Sequence, residues 1–435
     1  MKKILKKFLP RTIISLLLKL NYIFFEKKKL RYFIKQANKS HVELTKKIQE
    51  KEKIKVLFLV IHDSVWKVDP IFQKMLQDSY FQPEILICPY TIYSDDKMCE
   101  DMNNAYTYFK EKGYPVIKSL KKDNSWITLS ELSPDLVFFT NPHNLTRKEY
   151  YQDVFLNYLT CYIPYYFMAT NHAGDNKILL NTSFLNCIWK IYWPHEFIYQ
   201  EFKKHSIIKG KNSLVSGYPA SECFVNKDLQ CSLSVWKNHE RKKIIYAPHH
   251  SIDSDSIATF LHFGLLIQKI AQNYQNDVCW SFKPHPLLRE KLYLHRDWGK
   301  EKTDEYYSFW ENEPYTQFDN GEYERLFQQS DAIIHDSSSF IVEYTFTDKP
   351  GLYLLNNKNN FYFLNSFGKK IINCYNLASN QEEIIIFIEN IISNKKTKRN
   401  NSDFFNEYLE NYYINSSPSE IILSNIKLLL TNKMN

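Results

Sequence analysis

Apolar residues in this chain fall into short continuous runs separated by longer mixed stretches. KIKVLFLVIHD (53–63) is aliphatic and β-branched without alternation, the pattern of a strand buried on both faces. PEILICPY (83–90) and PDLVFFTNP (134–142) repeat it, with a helix-forming stretch at Asp96–Lys112 between them. NCIWKIYWP (186–194) and NSLVSGYP (212–219) continue the series. Strands alternating with helices at this spacing predict a parallel α/β sheet of Rossmann type. The pattern lapses into polar residues between about Val225 and Arg241, and KKIIYAPHH (242–250) then opens a second series. That series runs through a helix at Ile257–Asn273, the strand VCWSFKPHP (278–286), a long polar excursion at 297–314 and a helix near Gly321–Gln329. It closes with the strand DAIIHD (331–336), a helix from about Ser338, and PGLYLL (350–355). Two amphipathic helices, at 381–394 and 419–432, are expected to pack back on the body.

The chain is therefore read as four parts. Residues 1–52 form a basic amphipathic arm, 53–225 a first Rossmann-like domain, 241–380 a second, and 381–435 the returning helices. A length of 435 residues exceeds what one core usually supports, which agrees with two domains.

Charge separates the arm from the rest. The whole chain sums to +8, yet residues 1–55 hold 17 Lys/Arg against 4 Glu, a net +13, leaving −5 for the body. A basic arm on a slightly acidic body suits an anionic membrane surface and argues against nucleic acid. Ile4, Leu5, Phe8 and Leu9 alternate with lysines at helical spacing, and Thr12–Phe25 is largely apolar but too short to span a bilayer. No small-residue cleavage site follows, and lysines continue directly after it, unlike a secretory signal. The expectation is a helix in the cytoplasmic membrane interface, where each lysine near anionic lipid contributes about 1 kcal/mol; the alternative is an ordinary helix packed on the body. Eight cysteines without CxxC pairs or companion histidines read as reduced core residues, with no metal site expected.

Ligands of open parallel sheets bind beyond the carboxyl ends of the strands. Three strand ends of the second series carry polar groups: His249-His250-Ser251, Lys283-Pro284-His285-Pro286, and His335-Asp336-Ser337-Ser338-Ser339. Serines in the first turn of a helix would offer unpartnered N–H groups and hydroxyls to a phosphate, or Asp336 or Ser337 would simply cap that helix. Prolines on both sides of His285 fix its backbone, so that its imidazole can donate to a phosphate oxygen and, if protonated, offset charge on a leaving nucleotide. Adjacent side chains point in different directions, so at most one of His249 and His250 is expected to face the cleft. The sequence has no GxGxxG, no GxxxxGK[ST] and no GxSxG, which excludes a dinucleotide fingerprint, a P-loop and a nucleophile elbow.

The set YAP, FKPHP and SDAIIHDSSSFIVEYTFTDKPGLYL, in this order, resembles the CDP-glycerol glycerophosphotransferase family of teichoic acid and capsule polymer synthesis, well over 242–356 and loosely over the first domain. The resemblance implies two Rossmann domains of the GT-B type on a peripheral membrane protein at the cytoplasmic face. It implies a CDP-linked polyol donor, a lipid-linked or polymer acceptor, and no cofactor. His285 would contact the donor pyrophosphate, Ser338 and Ser339 its phosphate, Asp336 would shape the loop, and Glu343 would lie near the nucleotide. His249, His250, Lys283 and Ser337 complete the expected donor set. The family's base, a histidine followed by Gly, corresponds to His172 in ATNHAGDN, where Ala173 intervenes; His249-His250-Ser251 replaces the frequent Thr-Trp-Arg, and Ser337 the usual tyrosine. An acceptor hydroxyl would attack the distal phosphorus, His172 would take its proton, and CMP would leave. The competing readings are a GT-B glycosyltransferase using a nucleotide sugar for surface polysaccharide, and a catalytically idle membrane scaffold.

Overall fold

The computed structural model describes residues 11–171, 179–225, 234–237, 240–252, 258–321, 323–356, 361–395, 397 and 401–431, with side chains of the first helix described from Phe25. The first sheet comprises β1 (Ile54–Val60), β2 (Phe81–Ile87), β3 (Val116–Lys118), β4 (Leu136–Phe139), β5 (Leu159–Tyr162), β6 (Lys190–Trp193) and β7 (Ser213–Val215). Its order is β3-β2-β1-β4-β5-β6-β7. The second comprises β8 (Lys242–Ala247), β9 (Val278–Phe282), β10 (Thr316–Phe318), β11 (Ala332–His335), β12 (Gly351–Leu354) and β13 (Asn376–Ala378), in the order β10-β9-β8-β11-β12-β13. Every described strand pair is parallel. Both sheets reverse direction of growth beside their first strand, between β1 and β4 and between β8 and β11, and such switch points open crevices at the strand ends.

Central strands bury both faces, as their unbroken apolar runs require. Val56, Phe58 and Val60 enter one core of the first lobe, while Leu57 and Leu59 enter the other. In β8, Ile244 and Tyr246 face one core and Ile245 and Ala247 the opposite one. Register is reinforced across β1 and β4, where Phe58 pairs with Phe138 and the rings stack at 4.5 Å.

Three sequence readings change. The polar excursion at 297–314 contains a helix, Gly299–Asn312, whose Thr303, Tyr306, Tyr307 and Trp310 are buried at helical spacing under β9. The expected helix from Ser338 is a single α-turn, Phe340–Glu343, followed by a 3-10 turn, Tyr344–Thr347. The basic N-terminal segment is a helix of 38 residues, Arg11–Ile48, whose second half belongs to the first lobe. Leu30, Ala37, His41, Thr45 and Ile48 are buried and Gln36 bonds Asn157, whereas Phe25–Lys29 are exposed.

The two returning helices separate. Gln381–Ile392 buries Ile384, Phe387, Ile388 and Ile391 against the second sheet. Pro418–Thr431 crosses to the first lobe, where Ile422, Ile426 and Leu430 join the core of β1. Glu222 accepts the Ser419 N–H and hydroxyl at the start of that helix, at 2.5 and 2.8 Å. A second seam joins Met168–Asn171 to Phe361–Asn365: Asn171 N–H donates to Phe363 O (2.6 Å), Asn365 N–H to Ala169 O (3.1 Å), and Asn365 Nδ2 to Met168 O (2.6 Å). Gly368 is required there, since a Cβ would fall 2.2 Å from Ala169 O. Seven described cysteines are free thiols.

Candidate active site between the lobes

Extension of the β8–β9 pairing past the strand ends builds the second lobe's half of the site. Lys283 N–H donates to Tyr246 O at 2.8 Å and His285 N–H to Pro248 O at 3.0 Å, so the two proline-bearing loops lie side by side. Asp336, just beyond β11, ties in the third loop. Its fully buried carboxylate accepts His249 N–H (2.6 Å), Thr259 N–H (2.5 Å) and the Thr259 hydroxyl (2.8 Å). Burial pushes its pKa up to about 6 against the pull of those bonds. Asp336 thus braces the loop after β8 and the start of the Phe260–Asn273 helix, and the turn at Phe340–Glu343 has no side-chain cap.

The imidazoles of His249, His250 and His285 consequently cluster. Ring centroids are 4.4 Å apart for His249–His250, 4.0 Å for His250–His285 and 5.2 Å for His249–His285. Both members of the adjacent pair face the cleft, contrary to expectation, because the turn after Pro248 brings successive side chains onto one side. Burial, and then the neighbouring histidines and lysines, drive His285 down to about 2 and His249 to about 3. In the unliganded protein His285 is therefore neutral, able to donate but carrying no charge.

The ring nitrogens of this trio lie within 4.8 Å of one another, close enough to share a cation. Their hydrogen bonds favour another role. His285 Nδ1 accepts Leu287 N–H at 3.2 Å, and His249 Nδ1 accepts Ser251 N–H at 3.2 Å. An Nδ1 that accepts leaves the proton of the neutral ring on Nε2, which makes Nε2 a donor to an anion rather than a ligand to a metal.

Lys283 is buried, with Nζ donating to Gly321 O at 2.8 Å, and desolvation lowers its pKa to about 8. Ser337 is buried and its carbonyl accepts His335 Nδ1 at 3.1 Å, whereas Ser338 is half-buried and Ser339 exposed. One α-turn has little dipole, so a phosphate here would depend on hydroxyls and loop N–H groups. Glu343 is buried behind Tyr323, whose hydroxyl donates to it at 2.5 Å; burial raises its pKa to about 7.

The three histidines, Lys283, Ser337–Ser339, Tyr323 and Glu343 line one cleft of about 2440 Å³ between the carboxyl ends of the two sheets, and Asp336 lies behind it. The first lobe contributes His62, Asp63 and Lys67 from beyond β1, and Asn141 and His143 from beyond β4. Sequence reasoning missed Lys67 and Tyr323 because it searched strand ends only in the second half; Lys67 follows β1 as His249 follows β8. His172 lies outside the described residues, immediately after Asn171, which does line the cleft.

Comparisons with known proteins agree with this architecture. No curated protein matches the chain by sequence. Among solved structures, the wall teichoic acid polymerase TagF, as a variant, is 13% identical with a TM-score of 0.52, covering 95% of this chain and 96% of its own. MnaA of S. aureus with UDP is 14% identical with a TM-score of 0.53, covering 88% and 99%. A UDP-N-acetylglucosamine 2-epimerase described as putative, from Listeria monocytogenes, is 13% identical at 0.51, covering 87% and 96%. At these identities the likeness concerns the two-lobed α/β fold, of GT-B type. A family profile, CDP-glycerol:poly(glycerophosphate) glycerophosphotransferase, matches residues 166–426, which takes in the seam, the whole second sheet, the first returning helix and part of the second. On that match the chain belongs to the CDP-glycerol:poly(glycerophosphate) glycerophosphotransferase family and is a transferase of glycerophosphotransferase type.

Proposed function

We propose that the second-lobe crevice holds the pyrophosphate of CDP-glycerol or a closely related CDP-linked polyol, and that the first lobe presents an acceptor hydroxyl of a membrane-associated glycan or polymer. The observation that carries this reading is the convergence of three histidines, Lys283 and Ser337–Ser339 on one rim at the switch point of the second sheet. The rim collects donors, while the buried carboxylate of Asp336 is turned inward onto backbone N–H groups and that of Glu343 accepts the Tyr323 hydroxyl. An incoming pyrophosphate would raise the imidazole and lysine pKa values and be neutralised by protons as well as by hydrogen bonds.

In the reaction, the acceptor oxygen attacks the distal phosphorus, the phosphoanhydride bond breaks, and CMP departs with the electron pair. His285 and Ser338 stabilise charge on the pyrophosphate oxygens. His172 is the proposed base, since it follows Asn171 at the mouth of the cleft; general base catalysis of this kind contributes roughly 10² to 10⁴ in rate. Membrane association through the N-terminal helix, whose Phe25–Lys29 stretch is exposed, at the cytoplasmic face, would bring the acceptor to the enzyme. Among the described residues no helix is long and apolar enough to cross a membrane.

The test is release of CMP from CDP-glycerol and CDP-ribitol and of UDP from UDP-sugars, with a lipid-linked glycan as acceptor. Turnover of a CDP-polyol is expected. Turnover of UDP-sugars alone would replace this reading by a nucleotide-sugar glycosyltransferase.

A further inference from the structure

We infer that Lys67 is a donor-site residue supplied by the opposite lobe, delivering a second cation, across the cleft from Lys283, to the distal phosphate of the CDP-linked donor. The inference rests on the reading of the cleft as a CDP-donor site and adds a residue to it.

The backbone around Lys67 is anchored on both sides. Trp66 is buried in the first-lobe core with its indole N–H on Asp69 Oδ1 at 2.6 Å, and Val68 is buried beyond it. Fixed between two core residues just past β1, the Lys67 side chain leaves its own lobe. Its ammonium stands 3.3 Å from Tyr323 Oη and 4.8 Å from the centre of that ring, both in the second lobe. Lys283 Nζ reaches the same stretch of chain, donating to Gly321 O at 2.8 Å. Two cations from opposite lobes thus end two residues apart on one loop, and both line the cleft.

Each rests on a neutral oxygen, a phenol or a carbonyl. Glu343, which accepts the Tyr323 hydroxyl, lies within electrostatic reach of Lys67, and Asp319 and Glu324 lie within reach of Lys283, so nearby carboxylates offset part of this charge. Facing like charges repel, and an anion between them turns that cost into attraction. The donor supplies one: His285 and the serines hold the pyrophosphate from the second lobe, and Lys67 arrives from the side on which the acceptor must enter. The phosphate it meets is the one under attack, where charge builds on the non-bridging oxygens during transfer.

Lys67→Met and Lys67→Arg, in the full chain, test this by calorimetry with CMP and CDP and by steady-state rates with CDP-glycerol. CMP affinity is expected to stay within twofold in K67M, because CMP lacks the distal phosphate. CDP affinity should fall at least tenfold and kcat by about 10² to 10³, with K67R recovering most of both. Equal loss of CMP and CDP would make Lys67 a strut between lobes and overturn the inference, as would unchanged CDP affinity and rate. Wild-type protein that binds neither nucleotide would instead overturn the donor-site reading beneath it. If K67M fails to fold, Lys67→Gln carries the same comparison.

Discussion

The backbone N–H of His249 meets the carboxylate of Asp336 at 2.6 Å, joining the loop after β8 to the loop after β11. Thr259 donates twice to the same group, so one side chain sets the shape of three segments. Asp336→Ala should cost roughly 2–4 kcal/mol, since it leaves buried donors without partners. Asp336→Asn keeps the volume but turns one acceptor into a donor facing an N–H, and should cost less. Thermal unfolding of the two variants checks the order, and a wild-type melting temperature for Asp336→Ala would refute the bracing role.

His285→Ala and Ser338→Ala separate chemistry from folding. Both side chains border the cleft, so melting should change little. Turnover of CDP-glycerol should drop about 10² to 10³ for His285→Ala, as when one positioned donor is removed from a reaction centre. Ser338→Ala should lose less, because neighbouring Ser339 offers a second hydroxyl. Near-native rates in either variant would remove that residue from the mechanism.

Donor binding should take up protons. An anion raises the pKa of His285 and His249 from about 2 and about 3 and that of Lys283 from about 8. The bound state therefore holds more protons than the free state, and affinity for CDP strengthens as pH falls from 8 toward 6. Calorimetry in buffers of different ionisation enthalpy measures the uptake directly; net release on binding would contradict the cradle. Without ligand the sign for stability is opposite to that of a paired histidine. Folded pKa values below 6.5 mean full stability above pH 6.5 and progressive loss as pH falls toward the folded values.

Metal chelation offers an independent check on the tautomers inferred from Leu287 and Ser251. With Nε2 of His249 and His285 carrying protons, turnover should survive EDTA. A strict divalent-ion requirement, abolished with His250→Ala, would show that the trio ligates a metal and that those backbone bonds rearrange.

Truncation of the N-terminal helix needs care with the cut. A chain starting at Leu30 keeps the buried face formed by Leu30, Ala37 and Ile48 and should fold, yet lose flotation with anionic liposomes. A chain starting near Lys53 discards that face, at roughly 1.5–3 kcal/mol for each large aliphatic side chain, and should be markedly less stable. Equal liposome binding by the full chain and the Leu30 chain would dispose of the membrane role.

Most central strands were legible, because burial on two faces demands unbroken apolar runs such as 56–61 and 332–334, but β5, central and buried, has only the four residues Leu159–Tyr162 and escaped. Short strands escaped: β3, β10 and β13 have three residues each, too few to show any period. The helix 299–312 was hidden because its buried stripe is made of tyrosine, threonine and tryptophan among charged residues, which reads as polar by composition. At the site, the strand-end rule found the histidines and serines, but their mutual geometry depends on Asp336 and on the extended β8–β9 pairing, which only the fold supplies. Lys67 escaped because strand ends of the first half were not searched, and nothing near it in sequence points to its partner Tyr323, which comes from the other half of the chain.

Hydrogen bonds between Met168–Asn171 and Phe361–Asn365 carry a kinetic consequence. Segments of both lobes share that seam, so opening of the cleft for donor entry and CMP escape is expected to hinge there, with the far lips travelling most. Asn171, held on Phe363, would then keep its bearing on the nucleotide-holding half through each turnover.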